Sequence, residues 1–477
     1  MYIWLDSKSI PRFIEENLAI SQKIRTDSFQ QSISLHRQSC SDGTWFVCDP
    51  IGTGQVVVLD TQLFGLLEHL RQPKTLLELA QDAQGCSPST IERAIELFHK
   101  SGLIQNVRYT PLIPPQAHPQ ILSAWLHVTN ACNLRCDYCY LEKTNEHITD
   151  DIARRAVDAI FRSAAKHRFT TVILKYAGGE ASLHLNRVMA IHDYAVQLSR
   201  QYSIKLQSYI MSNGVFLPQQ AIDQIQARHI GVAISLDGID THHNAQRSFI
   251  NGHGSFKYVE RSIHLLLANG IVPHISVTVS QRNLQGLPRL IEYILEREMP
   301  FHLSYYRDVE YPTQPHDLQF RDEQLIATMR EVFQIIEQRL PPWCLLGSLI
   351  DKANLNTSHH HTCGVGRNYL VVDQQGGIAK CHADMRQTIT TVDADDPLQA
   401  IKEDISGIQG LPVEEKEACR TCEWRYWCSG GCPLLTYRTT GRYDIKSPYC
   451  DIYKALFPGA LRLEALRLLK YTQPIVL

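Results

Sequence analysis

The chain has 477 residues, with 47 Lys and Arg against 49 Asp and Glu for a formal net charge of −2, and its length suits two or three domains of about 100–200 residues each. Apolar residues make up 44% and charged residues 20%, which excludes a disordered tail protein, a collagen and a coiled coil. The even charge balance excludes a global basic field, so neither nucleic acid nor an anionic membrane is an expected partner. No apolar stretch approaches the ~20 residues of a transmembrane helix. The start, Met1 to Asp6, lacks a basic segment leading into an apolar run, so no secretion signal is expected and the chain reads as cytoplasmic.

In chain order, residues 1–110 read as one small unit. Thr44–Asp49 and Gln55–Asp60 are β-rich around Gly52 and Gly54 and predict a hairpin. Helices follow over Thr61–Leu70, Leu76–Asp82 and Ser89–Ser101. Two strands and three short helices suggest a winged-helix-like module. A nucleic-acid-binding role is disfavoured, because Pro88–Lys100 mixes Glu92 and Glu96 with Arg93 and Lys100. Residues 111–120 hold four prolines and read as a linker.

Over residues 121–340 strands and helices alternate. Strands are expected at Ala124–Thr129, Thr171–Tyr176, Lys205–Met211, Gly231–Leu236, His274–Val279 and His302–Tyr306. Helical patterns lie between them at Asp150–Lys166, Leu185–Tyr202, Pro218–Arg228, Phe256–Asn269 and Leu287–Arg297. Six strands joined by crossover helices imply a parallel sheet. Six units are too few to close an eight-fold barrel, so the α/β class is refined to a partial (β/α)6 TIM-like barrel with its site at the carboxyl ends of the strands. From about Pro341 the alternation stops. Residues 341–477 are rich in Cys, His and Gly with few long periodic segments, and inorganic clusters are expected to hold them together.

Fourteen cysteines without a secretion signal favour metal ligation over disulfides. Cys132, Cys136 and Cys139 follow the first expected strand at spacing CxxxCxxC. Three thiolates on one loop can wrap three corners of a cubane iron–sulfur cluster and leave the fourth iron open. A structural zinc site would need a fourth ligand, and the nearest histidines are His127 and His147. A second group comprises Cys363, Cys381, Cys419, Cys422, Cys428, Cys432 and Cys450, while Cys40, Cys48, Cys86 and Cys344 are scattered.

The first motif, followed by an aromatic on the loop after the first strand, resembles that of the radical S-adenosylmethionine (SAM) enzymes. The resemblance implies that the open iron binds the amino and carboxylate groups of SAM. Electron transfer then yields methionine and a 5′-deoxyadenosyl radical that abstracts a hydrogen atom from substrate. Gly178, Gly179 and Glu180 resemble the family's GGE element, which receives the SAM amino group, although Ala181 stands where Pro is usual. Ser212-Asn213-Gly214 resembles its TNG, and Ser235-Leu236-Asp237-Gly238 with Arg247 resembles its ribose- and carboxylate-binding end. Tyr138, inside the cysteine motif, completes the expected cofactor-binding set.

The second cysteine group resembles the seven-cysteine signature of SPASM domains, which hold two auxiliary [4Fe-4S] clusters. Carried over, Cys419, Cys422, Cys428 and Cys450 hold the distal cluster, and Cys363, Cys381 and Cys432 hold three irons of the proximal one. Relatives with an eighth Cys carry it where this chain has Thr357. Cys344, one of His359, His360 and His361, or an open iron are the alternatives. His382 stands directly after Cys381, where sulfatase maturases place a catalytic Asp, and is the candidate catalytic residue. The N-terminal unit resembles PqqD-like elements, which bind the leader of a ribosomally made precursor as an added strand.

Together these resemblances imply a maturase with three [4Fe-4S] clusters and SAM, reduced by flavodoxin or ferredoxin. It would modify a precursor peptide or protein by a thioether or carbon crosslink, an excision or an epimerisation. A radical SAM dehydrogenase of a small molecule is the alternative enzyme, and an iron–sulfur electron carrier the non-enzymatic one.

Overall fold

The structure is a computed structural model. It describes all residues except 7–26, 41–42, 53, 84, 109–117 and 309–315, so most of the expected linker lies outside the described residues.

A nine-stranded sheet forms the centre. Six strands, Ile121–Thr129, Thr171–Gly178, Lys205–Ser212, Gly231–Ser235, His274–Val279 and Phe301–Tyr305, lie side by side in chain order and pair in parallel. Each is linked to the next by a right-sized amphipathic helix, as the βαβ rule requires. Asp150–Lys166 and Leu185–Tyr202 occupy the ranges expected from sequence. Thr149 caps the first of these, accepting a hydrogen bond from the Ile152 amide. The first and sixth strands do not pair, so the six-strand run stays open. Instead Tyr369–Val372 adds in parallel beside the first strand, and Gly377–Ala379 and Thr388–Thr391 continue antiparallel beyond it. The region after residue 341 therefore extends the central sheet.

That region also differs from expectation in its packing. Cys450–Tyr471 is a 22-residue helix that buries one broad face, with Ile452, Tyr453, Leu456, Phe457 and Leu461 on it, while Asp451, Lys454, Pro458, Arg462, Leu466 and Leu469 lie on the opposite, partly exposed side. The paired Glu464 and Arg467 sit on the buried face while Leu466 and Leu469 sit on the outer one, so the polar and apolar residues of the sequence do not separate into two stripes. It packs against a second helix not expected from sequence, Asp322–Gln338. Contact is close: a Cβ on Gly459 would come 2.7 Å from the Phe333 ring.

The N-terminal unit contains the expected hairpin, Trp45–Cys48 against Val57–Leu59. Helices follow at Thr61–His69, Leu76–Asp82 and Pro88–Lys100. It has more strands than the two expected. His36–Ser39 and Tyr2–Trp4 flank the hairpin, and Ile475–Val476 pairs with Tyr2–Trp4, so the last residues of the chain complete the first sheet. A separate three-stranded sheet joins Ser28–Gln31 to Lys74–Thr75 and Ile104–Asn106. The hairpin is buried on both faces: Val47, Val57 and Leu59 join a small local core, whereas Phe46, Cys48 and Val58 join the main one. No helix among the described residues is long and apolar enough to cross a membrane.

Candidate active site

The loop after the first parallel strand carries Cys132, Cys136 and Cys139. It is held from several sides. Leu134–Cys136 forms a short ladder with Arg247–Phe249 that sets Arg247 opposite Cys136. Asn213, at the end of the third strand, donates from Nδ2 to Asn133 Oδ1 at 2.7 Å. The Lys143 ammonium donates to Cys139 Sγ at 3.0 Å, a contact that spacing alone did not suggest. Burial raises the thiol pKa of Cys132 and pushes that of Cys136 up to about 12, while Arg247 opposes the rise at Cys136. Each of these two thiols also feels Cys139, so the three lie in mutual electrostatic reach.

Gly178 and Gly179 permit a close backbone approach, but it is to the cysteine loop itself. A Cβ on Gly178 would lie 2.3 Å from the Thr129 carbonyl oxygen, and one on Gly179 would lie 2.3 Å from that of Ala131. Their lack of side chains lets the second strand end pass under the loop. Glu180, only 2% exposed, accepts from the Asn213 amide at 2.6 Å, Ser212 Oγ at 2.9 Å and the Ser182 amide at 3.1 Å. These bonds make the carboxylate an organiser of the Ser212–Asn213 turn and leave part of Oε2's acceptor capacity for a ligand.

Asp237 lies two residues beyond the fourth strand. Its Oδ2 accepts from the Tyr138 hydroxyl at 2.6 Å and its Oδ1 from the Thr278 amide at 2.8 Å. Arg247 also donates to the Tyr138 hydroxyl and lies 3.7 Å from Asp237. Arg247 is 5% exposed, yet its Nε has no hydrogen-bond partner. A buried, unpartnered guanidinium edge beside the three thiols fits the carboxylate of SAM. Ser235 stands at the end of the fourth strand, in register with Ser276, on the half-buried face of the sheet.

The remaining thiols assemble into two groups. Cys381 is pushed up to about 12 by burial, with Cys432 and Cys363 adding to the rise. Cys428 is likewise pushed up to about 12, with Cys419, Cys450 and Cys422 adding to it. Segments far apart in sequence thus bring Cys363, Cys381 and Cys432 together and, separately, Cys419, Cys422, Cys428 and Cys450. Among the described residues no three His, Cys, Asp or Glu side chains converge on a single ion.

Cys344 does not join either group: its pKa is pushed up to about 12 by burial and by Glu464, and its Sγ donates to Asn356 Oδ1 at 3.4 Å. His360 Nδ1 contacts Glu414 at 2.6 Å, and His359 Nδ1 contacts the Thr357 carbonyl at 3.0 Å. His361 keeps a buried Nδ1 without a partner. His382 sits in an aromatic enclosure: Trp125 stacks on it at 4.6 Å, Tyr140 meets it edge-on, and Tyr369 hydroxyl contacts its Nδ1 at 3.0 Å. Burial, with Lys352, Lys175 and Arg307 nearby, lowers its pKa to about 3, so the ring is neutral at physiological pH.

Residues 126–294 match the radical SAM superfamily, and this stretch of the chain is a radical SAM domain. Such domains use a [4Fe-4S] cluster and SAM. The chain is 20% identical to the cysteine-type anaerobic sulfatase-maturating enzyme of Clostridium perfringens, over 70% of this chain and 94% of that enzyme. It is 28% identical to the antilisterial bacteriocin subtilosin biosynthesis protein AlbA of Bacillus subtilis, over 35% of each chain. The fold is similar to that of native anSMEcpe with bound AdoMet and the Cp18Cys peptide, with a TM-score of 0.59 and 19% identity, covering 73% of this chain and 99% of that one.

Proposed function

We propose that the chain is a radical SAM maturase that modifies a ribosomally made precursor peptide or protein, carries two auxiliary clusters, and takes electrons from flavodoxin or ferredoxin. The observation that carries this reading is the gathering of all ten motif cysteines into three separate groups, with a buried Arg247 edge free beside the first. Relatives that act in sulfatase maturation and bacteriocin biosynthesis support a peptide or protein substrate.

When bound, the cluster and SAM supply the radical that abstracts hydrogen. The chain's own residues prepare the site for them. Cys132, Cys136 and Cys139 ligate the cluster, and Lys143 donates to one thiolate. Arg247 holds the SAM carboxylate, and Tyr138 and Asp237 hold Arg247. Glu180 fixes the turn of Ser212 and Asn213 and offers its remaining Oε2 capacity to the SAM amino group, beside Gly178 and Gly179. Ser235 would contact the ribose. His382, neutral among Trp125, Tyr140 and Tyr369, faces the substrate side of Cys381 as the catalytic residue.

The N-terminal unit grips the peptide as an added strand. His36–Ser39 is an outer strand of its sheet, with Arg37, Gln38 and Ser39 exposed. The Cys40 amide donates inward to the Thr44 carbonyl, so by alternation the Ser39 backbone faces outward.

The test is anaerobic reconstitution followed by assay of SAM cleavage and of mass change in the short peptides encoded beside the gene. Cleavage together with a peptide mass change is expected. Cleavage without any peptide change, but with oxidation of a small alcohol, would transfer the assignment to the dehydrogenase reading. Ser39→Pro should remove one outward amide without breaking the inward ladder, weakening peptide binding about threefold to tenfold while SAM cleavage persists. Unchanged peptide affinity would move the grip to another edge.

A further inference from the structure

The six parallel strands have two unlike faces. Towards the helices they present buried apolar residues such as Leu174, Ile275 and Leu303. On the opposite face Lys175, Tyr209, His274, Ser276 and His302 are only half-buried. A polar, partly accessible face inside the fold is a place for a ligand rather than for core packing. Strand register sets Lys175 between Trp125 and Tyr209. Trp125 is the ring that stacks on His382, next to Cys381. Lys175 therefore lies on the same strand face as Trp125, within electrostatic reach of His382.

Two ammonium groups lie on this face, and of them Lys352 also faces Asp351 and the Cys363 and Cys381 thiols. Lys352 acts on Lys175, and both act on His302 and His382. The nearby carboxylate, Asp351, is fully engaged. Arg307 donates to both of its oxygens at 2.7 and 2.6 Å, Tyr453 hydroxyl donates at 2.8 Å, and the Tyr305 amide donates at 3.0 Å. No carboxylate among the described residues pairs with Lys175. His274 Nε2 and His302 Nδ1 contact one another at 2.8 Å, which leaves the other nitrogen of each ring for a ligand. A half-buried ammonium without a counter-charge is costly, and an incoming anion relieves that cost.

We propose that this inner face binds a carboxylate of the substrate peptide, with Lys175 as the principal cation and Lys352 as the second. The substrate class is accordingly an acidic peptide whose carboxylate lies beside the residue that reacts. The anion is taken as a carboxylate because that is the anion an unmodified ribosomally made peptide carries, and the guanidinium fork of Arg307 is already taken by Asp351. This inference rests on the peptide-maturase reading above.

The test is isothermal titration of the reconstituted full chain, with SAM bound, using three small probes. N-acetylglutamate N-methylamide carries only a side-chain carboxylate, N-acetylalanine only a terminal one, and N-acetylglutamine N-methylamide neither. At least one carboxylate probe should bind about tenfold or more tightly than the glutamine probe, as a charge-assisted contact implies. The tighter of the two identifies the source as an acidic side chain or a chain terminus. Lys175→Met should abolish the preference and Lys175→Arg should keep it. Should Lys175→Met fail to fold, salt gives an independent reading, since raising it to about 0.5 M should weaken only the carboxylate probes. Equal affinities for all probes, no binding, a salt-independent preference, or a preference that survives Lys175→Met would overturn the proposal. SAM binding measured in the same samples keeps the outcomes apart: its absence from the wild type would sink the maturase reading itself.

Discussion

The loop of Cys132, Cys136 and Cys139 and the cysteines beyond residue 360 bring thiols together in opposite ways. On the loop, three thiols come from a single short segment, and the rest of the protein holds that segment by a strand ladder to Arg247, a hydrogen bond from Asn213 and the Lys143 ammonium. Beyond residue 360 the thiols of each group come from segments far apart in sequence, one of them, Cys450, from the first turn of the long Cys450–Tyr471 helix. The first site is ordered by its frame. On the proposed function, the second region is ordered jointly by its auxiliary clusters and by the helix. Loss of ligands should therefore remove chemistry in one place and structure in the other.

Replacing Cys132, Cys136 and Cys139 together by Ala makes the sharpest cut. It should remove about four irons per chain and abolish SAM cleavage while leaving the melting temperature nearly unchanged. Replacing Cys419, Cys422, Cys428 and Cys450 together should remove a similar amount of iron and lower the melting temperature markedly. Iron analysis with calorimetry on both variants decides; equal losses of stability would erase the contrast, and continued cleavage by the first would contradict the radical SAM assignment of that loop.

The helix can be tested without touching a thiol. Phe457 is fully buried between the helix and the main core. Phe457→Ala should cost about 3–5 kcal/mol, read by denaturant unfolding, and should reduce iron at the C-terminal groups before iron at the first loop. Even loss of iron from all three would show that the helix braces the whole molecule.

Between the two regions lies the inner face of the sheet, and its histidines should make stability depend on pH. Burial, with His274, Lys352 and Lys175 nearby, lowers the pKa of His302 to about 3, while Asp351 acts weakly in the other direction. The unfolded imidazole titrates near 6.5. Between those values the unfolded state binds more protons, so stability falls as pH falls. From pH 6.5 to pH 5 the loss from this ring is ~2 kcal/mol. His302→Asn should flatten that slope in urea titrations at the two pH values; an unchanged slope would place the sensitivity elsewhere.

The smallest effect expected is none. Cys344 faces Glu464 and Asn356, so Cys344→Ala should leave the paramagnetic resonance of the reduced clusters unchanged. A changed spectrum would make Cys344 a ligand after all. With Cys344 held elsewhere, His361, whose buried Nδ1 lacks a partner, is the next position to vary.

Much of the architecture was legible in the chain, because each βα unit is a local pattern. Thr149 and the apolar rhythm after it specify the Asp150–Lys166 helix, and period-two runs with glycine-bearing ends specify the strands. The cysteine spacings were equally visible, since three thiols within one loop need no tertiary information to be seen as a set. What escaped was set by partners distant in sequence. Cys450–Tyr471 buries a Glu464–Arg467 pair and turns Leu466 and Leu469 outward, so its amphipathic periodicity is blurred in the sequence. Ile475–Val476 is a strand only because Tyr2–Trp4 lies beside it. The GGE element reads as a ligand cradle in sequence, but folding sets its glycines against the Thr129 and Ala131 carbonyls and its carboxylate against the Asn213 amide. Lys143 and Lys175 look like ordinary lysines. Only the fold brings one against a thiol and sets the other on a face without a counter-charge, because electrostatic partnership depends on distance in space and the sequence records only distance along the chain.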